Sequence, residues 1–107
     1  MDRDSLQQIV KNYPKELLRL FLQDTPELLH ALSVAVSSGD RLELRSAAHA
    51  LKGAVSKFGA RHPQALAAEL EEIAPRCEMS QAQQLVDALA QEVFRLRSEL
   101  AEIAQLA

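Results

Sequence analysis

The chain has 107 residues, 48% of them apolar and only 4% aromatic, which suits one domain over residues 1–107 with an aliphatic core. A formal net charge of −3 without a basic cluster argues against nucleic-acid binding. The single cysteine excludes an intramolecular disulfide, and no run of about 18 apolar residues could form a membrane-spanning helix.

Apolar residues recur at gaps of three and four along almost the whole chain, which predicts helices and no strands. The first such group, Leu6, Ile9 and Val10, predicts a short N-terminal helix. We expect either Asp4 or Ser5 to be its N-cap, because both side chains can accept a hydrogen bond from the first turn.

A longer helix is predicted from Pro14 to Ser37. Its apolar positions are Leu18, Phe21, Thr25, Leu28, Leu32 and Val36. Because this phase continues through Pro26, we predict one helix that is kinked there. The alternative is two helices, with Thr25 as the second N-cap and Pro26 as its first residue.

The third helix is predicted between two turn signals. Ser37-Ser38-Gly39 ends the previous helix, and Asp40 with Glu43 forms a capping box that starts the next one. Gly59 is expected to end it. Its apolar stripe is Leu44, Ala48, Leu51, Val55 and Phe58.

Two further helices complete the prediction. Pro63 opens the fourth, which carries Leu66, Leu70 and Ile73, and Pro75 stops it. Ser80 with Gln83 forms a capping box for the last helix. That helix carries Leu85, Leu89, Val93, Leu96, Leu100 and Ile103 on one face. The fold class is therefore all-α, an up-and-down antiparallel four-helix bundle with a short additional N-terminal helix.

The polar face of the third helix carries the candidate site. At 100° per residue, His49 points roughly 140° away from the centre of the apolar stripe, so we expect it to face solvent. Arg45, Lys52, Gly53 and Ser56 lie three, four or seven residues from it and share its face. This surface combines an imidazole with two cations, a hydroxyl and a bare glycine.

The chemistry of this face suits a phosphoryl group. A neutral imidazole such as that of His49 has a nucleophilic nitrogen, and Lys52 could offset the negative charge of a phosphoryl group. Taken alone, Lys52 is more simply explained as an ordinary solvated lysine. A glycine inside a helix, such as Gly53, lowers the stability of the helix by about 1 kcal/mol relative to alanine. Either it leaves an open approach to the imidazole, or it permits tight helix packing or a bend.

The run His49-Ala50-Leu51-Lys52-Gly53, followed by Gly59-Ala60, resembles the signature of histidine phosphotransfer (HPt) domains of bacterial multistep phosphorelays. The resemblance covers residues 13–73 well and the last helix only in character. It implies a helical bundle in which His49 is the phosphoacceptor, Lys52 lies near the phosphate and Gly53 gives access. It also implies that the partner is the acidic pocket of a receiver domain.

The sequence departs from that family pattern in three places, the first of which is Ala67, at a position often held by cysteine. Ala54 and Val55 stand where serines are common after the glycine, and Ser56 could supply a hydroxyl one position later. Pro63 replaces a usual apolar residue, so we expect the fourth helix to begin late.

The leading hypothesis is therefore reversible transfer of a phosphoryl group from the aspartate of one receiver domain, through His49, to another receiver. A hybrid histidine kinase is a further expected partner. The chain has no Gly-rich nucleotide-binding loop, so it is expected to be a phosphocarrier without its own ATP site rather than an enzyme. A small apolar rim around His49, including Ala50 and the surface beside Gly53, is the expected docking surface.

Two alternatives remain open: a binding-only adaptor for a receiver or kinase, and a phosphoacceptor domain phosphorylated directly by a linked histidine kinase.

His30 and His62 have no Lys and Gly at the matching spacing, so both are interpreted as ordinary histidines. Glu69, Glu71 and Glu72 are interpreted as a solvated face. No His-x-x-x-His pair suggests a metal site, and no cofactor is expected. The charged N-terminus lacks a signal-peptide segment, so we expect a cytoplasmic monomer.

Overall fold

The computed structural model describes residues 3–106. It contains five α-helices and, within that range, no strand: α1 (Arg3–Asn12), α2 (Lys15–Ser38), α3 (Arg41–Ser56), α4 (Arg61–Ile73) and α5 (Met79–Leu106). Helices α2 to α5 form a ring in which α3 and α5 each contact both α2 and α4, and α1 packs along α5. Because the segments that connect these four helices are short, consecutive helices run antiparallel. The predicted all-α bundle with an additional N-terminal helix is confirmed.

The apolar stripes predicted from the sequence form the core. On α3 the stripe residues Leu44, Ala48, Leu51 and Val55 are buried, and on α5 the buried members are Leu89, Val93, Leu96, Leu100 and Ile103. Two of the few aromatic rings, those of Phe21 and Phe58, meet edge to face with their centroids 4.7 Å apart. Because this stripe of α3 faces inward, the opposite face of the same helix is held in solvent.

Helix α2 continues through Pro26, so the two-helix alternative is wrong. Proline has no N–H, and the carbonyl of Leu22 therefore loses its usual donor four residues on. The guanidinium of Arg97 on α5 replaces that donor, with Nη2 donating to the Leu22 carbonyl at 2.8 Å. Thr25 does not cap a helix, because its buried hydroxyl donates to the Phe21 carbonyl at 2.9 Å. The expected kink at Pro26 stays a prediction.

The turn between α2 and α3 forms largely as predicted. Gly39 ends α2 in the left-handed region, at φ 70°, where glycine carries no steric penalty. The side chain of Asp40 accepts a hydrogen bond from the Glu43 backbone N–H at 3.0 Å. The backbone N–H of Asp40 donates to the Ala35 carbonyl instead of to the Glu43 side chain. Only one half of the predicted capping box is therefore made.

Two predicted helix starts are wrong. Helix α1 already includes Asp4 and Ser5, so neither is its N-cap. Helix α4 begins at Arg61 and not late at Pro63, because a proline is tolerated anywhere in a first turn whose N–H groups have no helical partner. Pro63 is the third residue of the helix and is buried.

The boundaries of α3 and α5 also differ from those predicted. Helix α3 ends at Ser56, and Gly59 lies in the turn that follows, at φ 66°. Helix α5 begins at Met79, where the Ala82 backbone N–H donates to the Glu78 carbonyl. Ser80 therefore lies inside the first turn and does not cap it.

Candidate functional site

His49 lies on the solvent-facing side of α3, as the helical periodicity predicts. Its side chain is 68% exposed, while Ala48 and Leu51 of the same helix are fully buried. The packing of these apolar neighbours fixes the rotation of α3 about its axis. The imidazole is therefore held outside the bundle by a rigid helix.

The imidazole is joined to a neighbouring helix by Glu71 of α4. His49 Nδ1 lies 2.8 Å from Glu71 Oε2, and Lys52 Nζ lies 2.7 Å from Glu71 Oε1. The Glu71 side chain is only 18% exposed. One carboxylate thus contacts both the imidazole and the ammonium that follows it by one turn of α3.

The expectation that Glu69, Glu71 and Glu72 form a solvated face is wrong for Glu71. The other two are exposed, whereas Glu71 follows the buried Leu70 at the edge of the stripe that faces α3. Periodicity gives that position as peripheral, but it does not reveal the cross-helix partner. The sequence offered one signal of this contact, namely an acidic residue directly beside a core position of α4.

The hydrogen bond from Lys52, followed by that from His49, lowers the pKa of the Glu71 carboxyl, and partial burial opposes the shift. Glu71 is therefore ionised near neutral pH, and a carboxylate can only accept hydrogen bonds. It follows that His49 Nδ1 carries the hydrogen in this contact. Among the described residues, Nε2 of the same ring has no hydrogen-bond partner.

The two cations predicted beside the imidazole differ in their surroundings. Lys52 is 33% exposed and is paired with Glu71, so it is not a freely solvated lysine. Arg45 is exposed one turn before His49. Together with Lys52 and Glu71 it lines an open polar cleft between α3 and α4. The cleft therefore brings these two cations together with the carboxylates of Glu71 and Glu72.

The structure separates the two explanations given for Gly53. The residue is exposed within α3, and a β-carbon added there would meet no other described atom within 4 Å. Tight packing against another helix therefore does not require glycine at this position. Of the explanations given for this glycine, an open approach to His49 and a bend of α3 are the two that remain.

Ser56, the remaining candidate, is exposed at the end of α3. Its hydroxyl donates to the Gly53 carbonyl at 2.8 Å, which is an ordinary bond of a serine to its own helix. A role at the imidazole would require the hydroxyl to leave this carbonyl.

An apolar groove lies between α2 and α3 on the side of Gly53. Leu17 and Leu20 of α2 line it and are more exposed than is usual for large apolar side chains. Ala50 lines the opposite wall beside Gly53, and Lys57 lies further along α3. The apolar rim predicted around His49 thus belongs to a larger surface that two helices share.

The other two histidines lie apart from this arrangement. His30 and His62 are both exposed, and His62 Nδ1 is 3.7 Å from Glu92 Oε2, too far for a hydrogen bond. Within residues 3–106, no three metal-ligating side chains are grouped in a way that could hold an ion. No helix in the described part of the chain is both long and apolar enough to cross a membrane.

A helical bundle with an exposed histidine whose Nδ1 contacts a glutamate, itself paired with a lysine, is consistent with a phosphorelay carrier, and comparisons with known proteins agree. The Hpt domain model matches residues 16–106. The crystal structure of histidine-containing phosphotransfer protein B (HptB) from Pseudomonas aeruginosa PAO1 superposes with a TM-score of 0.84 at 32% sequence identity. That match covers 98% of this chain and 91% of the other. A search of curated proteins finds no significant match.

The chain therefore belongs to the Hpt domain family. It is a histidine-containing phosphotransfer protein of a phosphorelay, an intermediate that carries the phosphoryl group and not a kinase. Membership of this family also implies interaction with receiver domains.

Proposed function

We propose that His49 is the residue that accepts the phosphoryl group from the aspartate of one receiver domain and passes it to another. The observation that carries the proposal is the exposed imidazole, 68% accessible on a packed helix, with one nitrogen bound to Glu71 and the other without a hydrogen-bond partner in the part of the chain that the structure describes. A neutral ring nitrogen with a free lone pair is the nucleophile that phosphoryl transfer needs. The protein's main contribution is to hold that nitrogen in position for in-line attack.

Lys52 and Gly53 have supporting roles in this proposal. The ammonium of Lys52 offsets the charge of the incoming phosphoryl group, and it reaches this region from one turn along the same helix. Gly53 leaves the approach open on its own side of the imidazole, because no side chain projects from the helix at that position. Ser56 is assigned no step while its hydroxyl is bound to the Gly53 carbonyl.

The receiver is proposed to dock on the groove between α2 and α3, with Leu20 as a contact residue. Exposed apolar side chains beside an access point form the kind of patch that marks a protein interface. Leu20→Asp should weaken receiver binding by about 1 kcal/mol or more, roughly fivefold in Kd. Val34→Asp is the matched control, because Val34 is also exposed on α2 but does not line the groove.

The decisive experiment is incubation with a receiver domain phosphorylated on its aspartate, followed by intact-mass spectrometry. Wild type should gain a phosphoryl group and His49→Gln should not. His62→Gln is the matched control and should be phosphorylated normally. Uptake by His49→Gln at the wild-type rate would refute the assignment, and stable receiver binding without uptake by wild type would favour a binding-only adaptor.

We propose in addition that residues 1–107 act as one monomeric domain. The direct route, in which a linked histidine kinase phosphorylates His49, is tested by replacing the phosphorylated receiver with a histidine kinase and ATP. Rapid labelling from the kinase, faster than from any receiver, would favour that route over the relay.

A further inference from the structure

The groove between α2 and α3 carries charged side chains as well as apolar ones. Asp24 and Glu27 (the acidic pair) line its α2 wall, and Lys57 lines its α3 wall. All three residues are exposed, and within residues 3–106 none of them forms an ion pair. The charges in the groove are therefore available to a partner.

The acidic pair adds nothing to the stability of α2. Asp24 and Glu27 are three residues apart, and residues at this spacing are neighbours on a helix, so their like charges repel each other. Glu16 shows the ordinary alternative, because its carboxylate is paired with Arg19 on the same helix. Two carboxylates without a cation on one wall of a docking groove are better explained by what they meet on a partner.

The charges lie at opposite ends of the groove. The rings of Tyr13 and Phe58 are 5.6 Å apart, so the end of α3 lies against the start of α2. Because the two helices run antiparallel, Lys57 lies at this end, and the acidic pair lies toward the end where Ala50 lines the α3 wall. Ala50 directly follows His49 in the chain. The groove thus has an acidic end beside the imidazole, an apolar centre and a basic end.

We propose that the acidic pair and Lys57 select and orient the receiver that docks in this groove. The proposal rests on the function proposed above. It commits to a partner surface that is apolar at its centre, basic at the end nearest the phosphorylated aspartate and acidic at the far end. Complementary charges across an interface fix its register and suppress wrong partners. A receiver turned end for end would oppose like charges at both ends.

The acidic end also excludes receivers, because it lies beside His49. The aspartyl phosphate that approaches the imidazole is itself anionic, and like charges repel each other unless a cation lies between them. A receiver without a Lys or Arg at this end is therefore rejected, which is specificity by repulsion as well as by attraction. The apolar centre accepts many receivers, whereas the charged ends discriminate among them.

Charge reversal at each end of the groove tests the proposal. The probe is an unphosphorylated receiver domain, chosen as the one that binds the wild-type protein most tightly. Asp24→Lys/Glu27→Lys should raise the Kd about tenfold in calorimetric titrations at an ionic strength of about 0.03 M, and Lys57→Glu should also raise it. Both losses should shrink at about 0.5 M salt, because salt screens exposed charges. A Kd that either variant leaves unchanged would overturn the proposal.

Glu69→Lys/Glu78→Lys is the matched control. Both residues are exposed and neither lines the groove, and the control has the same net charge as the variant with the reversed acidic pair. It separates complementarity within the groove from attraction by the whole molecule, and it should bind the receiver like wild type. Equal weakening in this control and in Asp24→Lys/Glu27→Lys would show that the groove charges have no special role.

A compensating change in the receiver identifies the residue that meets the acidic pair. Each surface Lys or Arg of the same receiver is replaced in turn by Glu. One of these receivers should bind Asp24→Lys/Glu27→Lys more tightly than it binds wild type, and that gain also shows that the double variant is folded. If no replacement in the receiver restores binding, the proposed basic contact does not exist.

The effect on transfer separates this proposal from the proposed function. Reversal of the acidic pair should raise the receiver concentration that gives half-maximal phosphoryl uptake, because the charges act on docking and not on the reacting atoms. A half-saturating concentration equal to that of wild type would overturn the proposal. Charge-dependent binding without uptake on His49 would end only the proposed function, whereas uptake on His49 with charge-independent binding would end only the role of the groove charges.

Discussion

Replacing Gly53 with alanine should stabilise the protein while it impairs phosphoryl transfer. The new β-carbon would meet no described atom within 4 Å, so it creates no clash. An exposed helical glycine costs about 0.8–1.0 kcal/mol relative to alanine. We therefore expect Gly53→Ala to raise the free energy of unfolding by about 0.5–1 kcal/mol, which for a domain of this size raises Tm by about 4 °C.

The transfer rate should move in the opposite direction. The methyl group would stand one turn from His49 on the face that a receiver must approach, and larger side chains should obstruct it more. We expect uptake to fall in the order Gly53, Gly53→Ala, Gly53→Gln, while the circular dichroism spectrum stays helical. Thermal melts and a transfer time course with one phosphorylated receiver measure both effects on the same samples.

Gly39→Ala is the matched control, because a β-carbon there also meets no described atom within 4 Å. Its backbone lies at φ 70°, where a non-glycine residue costs roughly 1–2 kcal/mol. Gly39→Ala should therefore lower Tm and leave transfer by the folded protein unchanged. A Gly53→Ala protein that is no more stable than wild type would refute the helix-propensity argument, and one that transfers at the wild-type rate would refute the access argument.

Three further predictions concern the helix contacts. Arg97→Ala removes the donor to the Leu22 carbonyl and should lower the free energy of unfolding, measured by urea titration, by about 1–3 kcal/mol. Arg95 is exposed, so Arg95→Ala should change the free energy of unfolding by less than about 0.5 kcal/mol. Equal effects of the two substitutions would contradict the role of the Arg97 bond. Folding lowers the pKa of Glu71 below its ordinary value of 4.5, so its ionised form stabilises the protein above that pH and this contribution is lost on acidification. Glu71→Gln should therefore be less stable than wild type at pH 7, and the difference should shrink in unfolding curves below about pH 4; a constant difference would argue against the ion pair. Lys52→Ala should slow uptake or shorten the lifetime of the phosphorylated protein in a decay assay, and unchanged values of both would remove its proposed role.

The sequence predicted the orientation of α3 because burial follows a helical period that can be read locally. Leu44, Leu51 and Val55 mark the buried face, and the position of His49 opposite them follows from 100° per residue. The exposure of Gly53 followed from the same geometry. These features depend on one helix only and require no knowledge of its neighbours.

The features that the sequence did not reveal depend on contacts between helices. Nothing in the pattern of α4 assigns Glu71 to His49, 22 residues earlier in the chain. Likewise, the donor that allows α2 to continue through Pro26 comes from Arg97, 75 residues after the carbonyl it serves. The start of α4 was misplaced for another reason, since a proline such as Pro63 fits several positions of a first turn equally well.

The division of the site between two helices has a consequence for how reactivity depends on folding. His49 belongs to α3, but the carboxylate that contacts its Nδ1 belongs to α4, so a peptide of residues 41–56 would carry the imidazole without this partner. Fraying or separation of α4 would leave the imidazole exposed but without its carboxylate partner. The complete arrangement of His49, Glu71 and Lys52 is thus coupled to the integrity of the α3–α4 hairpin, and partly unfolded chains should lose it even though their histidine is fully accessible.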